Sequence, residues 1–125
     1  MTRINCGIKP EELNNKHLFA EIREIKRIPN CIKKGRYNLD GIPDKFKLGT
    51  GHVKFFYDKL LYLHTRYYFL VTEWEARGFK VSDYNEAFES LPKELYNHYF
   101  PTDRDRKILI KRLQEKDPIF YKNLV

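Results

Sequence analysis

Between Gly51 and Arg77 the apolar residues Phe55, Phe56, Leu60, Leu63, Tyr67, Leu70, Val71 and Trp74 return every three or four positions. That spacing marks one buried helix face, and no segment shows the sustained alternation of a strand. A helix over 51–77 would be roughly 40 Å long if unbroken, with Gly78 as its C-terminal cap and any kink near its start. A second stripe, Leu13, Leu18, Ile22, Ile25 and Ile32, predicts a helix opening at Pro10-Glu11-Glu12, where proline and acids suit a first turn. Pro29 kinks or ends it, and Gly35 stops it at the latest. Thr102, with Asp105 in the capping-box position, predicts a third helix that turns Ile108, Leu109 and Leu113 inward and ends at Pro118. Residues 35–48 read as loop, and 79–101 as irregular with one short helical turn before Pro92. The expected fold is therefore all-α: one compact domain over 1–125, with three main helices, irregular connecting loops and no sheet. A chain of 125 residues supports one modest core, not two.

Lysine and arginine number 24 against 17 acids, a net charge of +7 that draws the protein towards polyanions. Nucleic acid is the expected partner, since no amphipathic tail or lipidation signal marks a membrane. A soluble protein can also be basic without any such partner. Cys6 and Cys31 stand far apart without metal-ligand spacing, which suits reduced intracellular thiols. The first twenty residues carry charges throughout and contain no secretory h-region. The apolar run Tyr67 to Val71 is far too short to span a bilayer. The expectation is a soluble monomer inside the cell, in the cytoplasm or wherever nucleic acid lies.

Removal of Met1 would expose the α-amine of Thr2, whose ordinary pKa of roughly 7.7–8 leaves a useful fraction unprotonated and nucleophilic. Any chain beginning Met-Thr offers as much, so the case rests on its surroundings. His17 and Glu24 stand two helical turns apart on one face, with Arg27 one turn further. Arg23 and Arg27 are like charges at i,i+4, a repulsion that a polyanion would relieve. Arg112 and Lys116 repeat that spacing on the third helix, and Lys33-Lys34-Gly35-Arg36 forms a basic loop. Such residues commonly hold phosphates, although a solvated charged face accounts for each of them equally well. Tyr121 and Lys122 follow Pro118 and could stack on a base, or the tail could tuck into the core. The four histidines show no close ligand pairing, Gly49-Thr50-Gly51 is too short for a phosphate loop, and no triad pattern is present. Neither a metal nor a cofactor is expected.

Taken together these residues resemble the phage-type pyrimidine-dimer DNA glycosylase/AP lyase family, often called endonuclease V. The matches are Thr2-Arg3-Ile4-Asn5, His17-Leu18, Ala20-Glu21, Arg23-Glu24 and Arg27, then Gly51-His52-Val53, Phe55-Phe56-Tyr57-Asp58-Lys59-Leu60 and Arg77-Gly78-Phe79. Weaker matches follow at Leu113, Glu115-Lys116 and Tyr121-Lys122. They run in order over roughly two thirds of the chain, and the Gly51–Leu60 string is the most specific.

The resemblance implies a metal-independent, all-α repair enzyme acting on damaged double-stranded DNA. Its nucleophile would be the Thr2 α-amine, which attacks C1′ of the damaged nucleotide, expels the base and leaves an imine. Glu24 matches the family's catalytic carboxylate, and β-elimination would then cut the strand. Arg3, Arg23 and Arg27 would hold phosphates and, by like-charge repulsion, favour the unprotonated amine. Arg112, Lys116, Tyr121 and Lys122 would add DNA contacts, with His17 in a supporting hydrogen-bond role and His52 structural. The base opposite the lesion would be extruded, at least cost where damage already weakens the stack. The chain departs from the family in a slightly longer arm before His17, a shorter connection from Arg27 to Gly49, and a tail reading Phe120-Tyr121-Lys122-Asn123-Leu124. The alternatives are a relative acting on other damaged bases or only abasic sites, and a non-catalytic basic DNA-binding protein.

Overall fold

The apolar stripe of residues 60–76 builds the central helix. In the computed structural model, which describes residues 2–81 and 85–125, Leu60, Leu63, Tyr67, Leu70, Val71 and Trp74 all face the core. Five α-helices run α1 (Asn15–Ile25), α2 (Arg27–Lys33), α3 (His52–Phe55), α4 (Leu60–Ala76) and α5 (Asp103–Lys116). Short 3-10 turns lie at Pro10–Glu12, Glu86–Phe88 and Lys93–Leu95, and no strand occurs among the described residues. The three longest helices, α1, α4 and α5, are the three expected. The irregular stretch 79–101 carries the expected turn before Pro92 and a second one after it, while positions 82–84 lie outside the described residues.

Three boundaries differ from expectation, each for a local reason. α1 begins after Asn14, not at Pro10: the Asn14 side chain accepts the His17 N–H at 2.8 Å, and Leu13 is extended and fully buried. Pro10–Glu12 closes only a 3-10 turn. α1 stops at Ile25, four residues before Pro29, because a proline ring collides with the carbonyl four residues back. Pro29 then sits in the first turn of α2, where its missing N–H costs nothing. The long helix expected from Gly51 is two helices, broken at residues 56–59. The break lets Phe55 and Phe56 both enter the core around Phe46, at edge-to-face ring separations of 5.1–6.0 Å. Lys59 seals it, donating to the Phe55 carbonyl at 2.9 Å with its ammonium 3.9 Å from the Phe55 ring centre.

The other ends follow the sequence. Gly78, at φ 94°, closes α4 with its N–H on the Glu75 carbonyl, while Phe79 donates to Trp74 and stacks on its ring at 4.1 Å. Thr102 and Asp105 form the expected capping box of α5. α1 packs against α4, and α5 contributes Leu109 and Leu113 to the same core. Both cysteines are free thiols, and Cys6 is wholly buried. Among the described residues no helix is long and apolar enough to cross a membrane.

Candidate active site

The site is made by an extended arm laid along α1. Ile4, Cys6 and Ile8 are buried in the core, the last two in a turn closed by the Ile8 N–H on the Asn5 carbonyl, while the Arg3 N–H and the Asn5 side chain meet the helix. His52 fixes the arm's path. Its Nε2 accepts the Ile4 N–H at 2.9 Å while its Nδ1–H donates to the Lys47 carbonyl at 2.9 Å. Gly51 leads the chain into α3 at φ 91°, packed so closely on the preceding loop that a Cβ there would stand 3.1 Å from Pro43. Both His52 bonds require a neutral ring.

Burial, aided by the positive Arg3 and Arg112, pushes the His52 pKa down to about 4. The folded pKa lies below the unfolded value of about 6.5, so the stabilisation is complete above that value and is lost as pH falls towards 4. Urea unfolding should therefore show a loss of about 2 kcal/mol at about pH 5 relative to neutral pH. His17, whose pKa burial also lowers, acts in the same direction. His52→Gln, whose amide oxygen can still accept the Ile4 N–H, should flatten most of the slope. Stability unchanged over this window would contradict a buried neutral His52.

One turn apart on α1, Glu21 and Glu24 meet the arm. The Arg3 N–H donates to Glu24 Oε1 at 3.2 Å, which places Thr2 immediately beside the Glu24 carboxylate. Asn5 Nδ2 donates to Glu21 Oε1 at 2.8 Å. Glu21 is held from behind by Arg66 of α4, whose Nε and Nη2 reach both carboxylate oxygens while Nη1 donates to the Ile8 carbonyl at 2.9 Å. Arg66 is 7 % and Glu21 1 % exposed, so this is a buried ion pair with its hydrogen bonds filled.

The result is a cavity of about 120 Å³ lined by Arg3, Asn5, His17, Ala20, Glu21, Glu24 and Arg112. Arg3 and Arg112 are both held below the ordinary guanidinium range by burial, and Glu24 opposes that shift in each. Two cations thus flank one carboxylate, an arrangement suited to an anionic group or to charge developing in a reaction. Asn5 Oδ1, in a side chain 4 % exposed, has no hydrogen-bond partner among the described residues and offers an acceptor at the cavity.

Of the predicted site residues, Arg3, His17, Glu24 and Arg112 line this one cavity, and Thr2 adjoins it. Arg23 is exposed on α1, its guanidinium 5.0 Å from the Phe19 ring centre. Arg27 opens α2, so it does not share one straight helix with Arg23 as predicted. Lys116, at the end of α5, and Lys122 are exposed. Of the two readings of Tyr121, the structure has the tucked tail and not the base-stacking ring: the residue is 1 % exposed and packed into the protein. Met1 lies outside the described residues.

Asn5, Glu21 and Arg66 were missed as a working group. The available signal was Arg66 itself, a charge standing in the apolar stripe of α4, where only a paired ion is normally tolerated. A larger, mostly apolar cavity of about 620 Å³, lined in part by Tyr62, Phe69, Tyr99 and Phe100, contains none of the predicted site residues.

A family model described as pyrimidine dimer DNA glycosylase matches residues 1–86, taking in the arm, the Glu24 helix and the His52 clamp. The chain belongs to the pyrimidine dimer DNA glycosylase family. Membership supports a DNA repair glycosylase and implies binding to damaged DNA. The matched region ends before α5, so Arg112, Lys116, Tyr121 and Lys122 of this glycosylase lie beyond it.

Proposed function

We propose that this glycosylase excises ultraviolet pyrimidine dimers through an imine on Thr2 and cuts the strand by β-elimination. The observation that carries the reading is the Arg3 N–H bond to Glu24, which tethers the residue after Thr2 to a carboxylate flanked by two guanidiniums. Once Met1 is removed, the Thr2 amine attacks C1′, and the C1′–base bond breaks with its electron pair leaving on the base. Glu24 takes the amine proton and delivers it to O4′ as the sugar ring opens to the imine. Glu24, again a carboxylate, then takes a C2′ proton, the C3′–O bond breaks with its electron pair leaving on the 3′ phosphate, and water hydrolyses the imine to free the enzyme. Arg23, Arg27, Lys116 and Lys122 supply phosphate contacts from the exposed surface. The protein acts as a monomer on cellular DNA.

One observation favours a second reading, in which the enzyme acts on other damaged bases or only on abasic sites: the buried Tyr121 cannot stack on the lesion. Incubation with dimer-containing and abasic duplexes under borohydride separates the two. The main reading expects a covalent adduct on both duplexes, with the adduct mapped to Thr2. An adduct only on abasic DNA supports the second reading, and no adduct on either leaves a DNA-binding module. Mass spectrometry of the N-terminus accompanies it, because an intact Met1 leaves Thr2 without a free amine.

A further inference from the structure

The Tyr121 hydroxyl lies where the last turn of the chain meets the start of α1. It accepts the Asn14 backbone N–H at 3.0 Å and lies 2.7 Å from Nδ1 of His17. The two rings stack at 5.5 Å and 19°. Asn14 can only donate here, so the phenolic proton is left for Nδ1. Were Nδ1 instead protonated, that buried phenolic proton would have no acceptor among the described residues. Burial keeps Tyr121 a phenol by raising its pKa.

The surrounding charges agree. Burial weighs most against an imidazolium, Arg112 and Lys116 on α5 and Lys16 on α1 oppose it as well, and Asp117 favours one. Arg3, Glu24 and the Arg66-paired Glu21 complete the charged groups of the shared cavity. Among the described residues nothing bonds to Nε2 of His17, although the ring lines that cavity.

We infer that Tyr121 is a positioning residue: its hydroxyl holds His17 as the Nε2–H tautomer, so that the imidazole donates a hydrogen bond to a sugar or phosphate oxygen of DNA in the Glu24 cavity. The DNA half of this rests on the function proposed above; the tautomer half does not. The tail therefore acts from behind the site, through a histidine, and not by stacking on a base.

Long-range proton–nitrogen NMR on the free protein at neutral pH tests the tautomer directly. Wild-type His17 should carry its proton on Nε2, and Tyr121→Phe, which keeps the ring stack, should bring in the Nδ1–H form. Borohydride trapping on abasic duplex should slow by about five- to tenfold in Tyr121→Phe, the worth of one hydrogen bond. His17→Gln can donate from the same place without choosing a tautomer, so adding Tyr121→Phe to it should slow trapping less than about twofold. A wild-type Nδ1–H ring or an imidazolium overturns the inference, as does an unchanged tautomer in Tyr121→Phe. The wild-type spectrum decides this even if that variant folds poorly or the wild type forms no adduct.

Discussion

Glu24→Gln is expected to lower imine trapping and strand cutting by about 10²- to 10⁴-fold while leaving affinity for damaged duplex unchanged. The geometry separates these effects. The Arg3 N–H bond to Oε1 can be kept by the glutamine carbonyl, so the arm should stay on α1. What disappears is the negative charge between Arg3 and Arg112 and the carboxylate that relays the proton in the proposed mechanism. Removing that charge makes the cavity more positive, so binding to a polyanion has no reason to weaken. Single-turnover trapping on abasic duplex, with a parallel binding titration, reads the two apart. Wild-type trapping rates in the variant would remove Glu24 from the chemistry, and a parallel loss of affinity would make its role structural.

The fold was legible wherever a local pattern sufficed. The stripe Leu60 to Trp74, the Thr102–Asp105 box and Gly78 each report on their own neighbours, and each element formed where expected. The failures came where distant packing decides. A kink was expected near the start of 51–77, but a full break at 56–59 follows from burying Phe55 and Phe56 together against Phe46. Pro10-Glu11-Glu12 has the composition of a first turn, yet α1 starts only after Asn14, because the extended Leu13 reaches the core first. The site divides in the same way. Resemblance singled out Thr2, Arg3, His17 and Glu24 as residues, but not what holds them. Arg3 meets Glu24 only because His52, 48 positions beyond Ile4, fixes the arm. Tyr121 stayed open between two readings because an aromatic beside an exposed lysine has the same appearance in sequence whether it faces solvent or core.

Arg66→Met is expected to cost about 3–5 kcal/mol of stability, the largest single loss at a position that lies outside the cavity. The substitution fills the volume of the arginine's stem but strands Glu21, which is 1 % exposed, with only Asn5 Nδ2 left as a donor. The Ile8 carbonyl loses its donor at the same time. A lone buried carboxylate costs far more than the intact pair contributes, so Glu21→Leu combined with Arg66→Met should recover a good part of the loss. Full recovery is not expected, since Asn5 and Ile8 both keep orphaned polar groups in the double variant. Urea unfolding of the single and double variants checks the energies, and a cost below about 1 kcal/mol for Arg66→Met would mean that Glu21 finds water or a proton instead. Trapping should fall in the double variant even where stability has returned. Asn5 and Ile8 belong to the same arm as Thr2 and Arg3, and loosening one end of the arm loosens the geometry at Glu24.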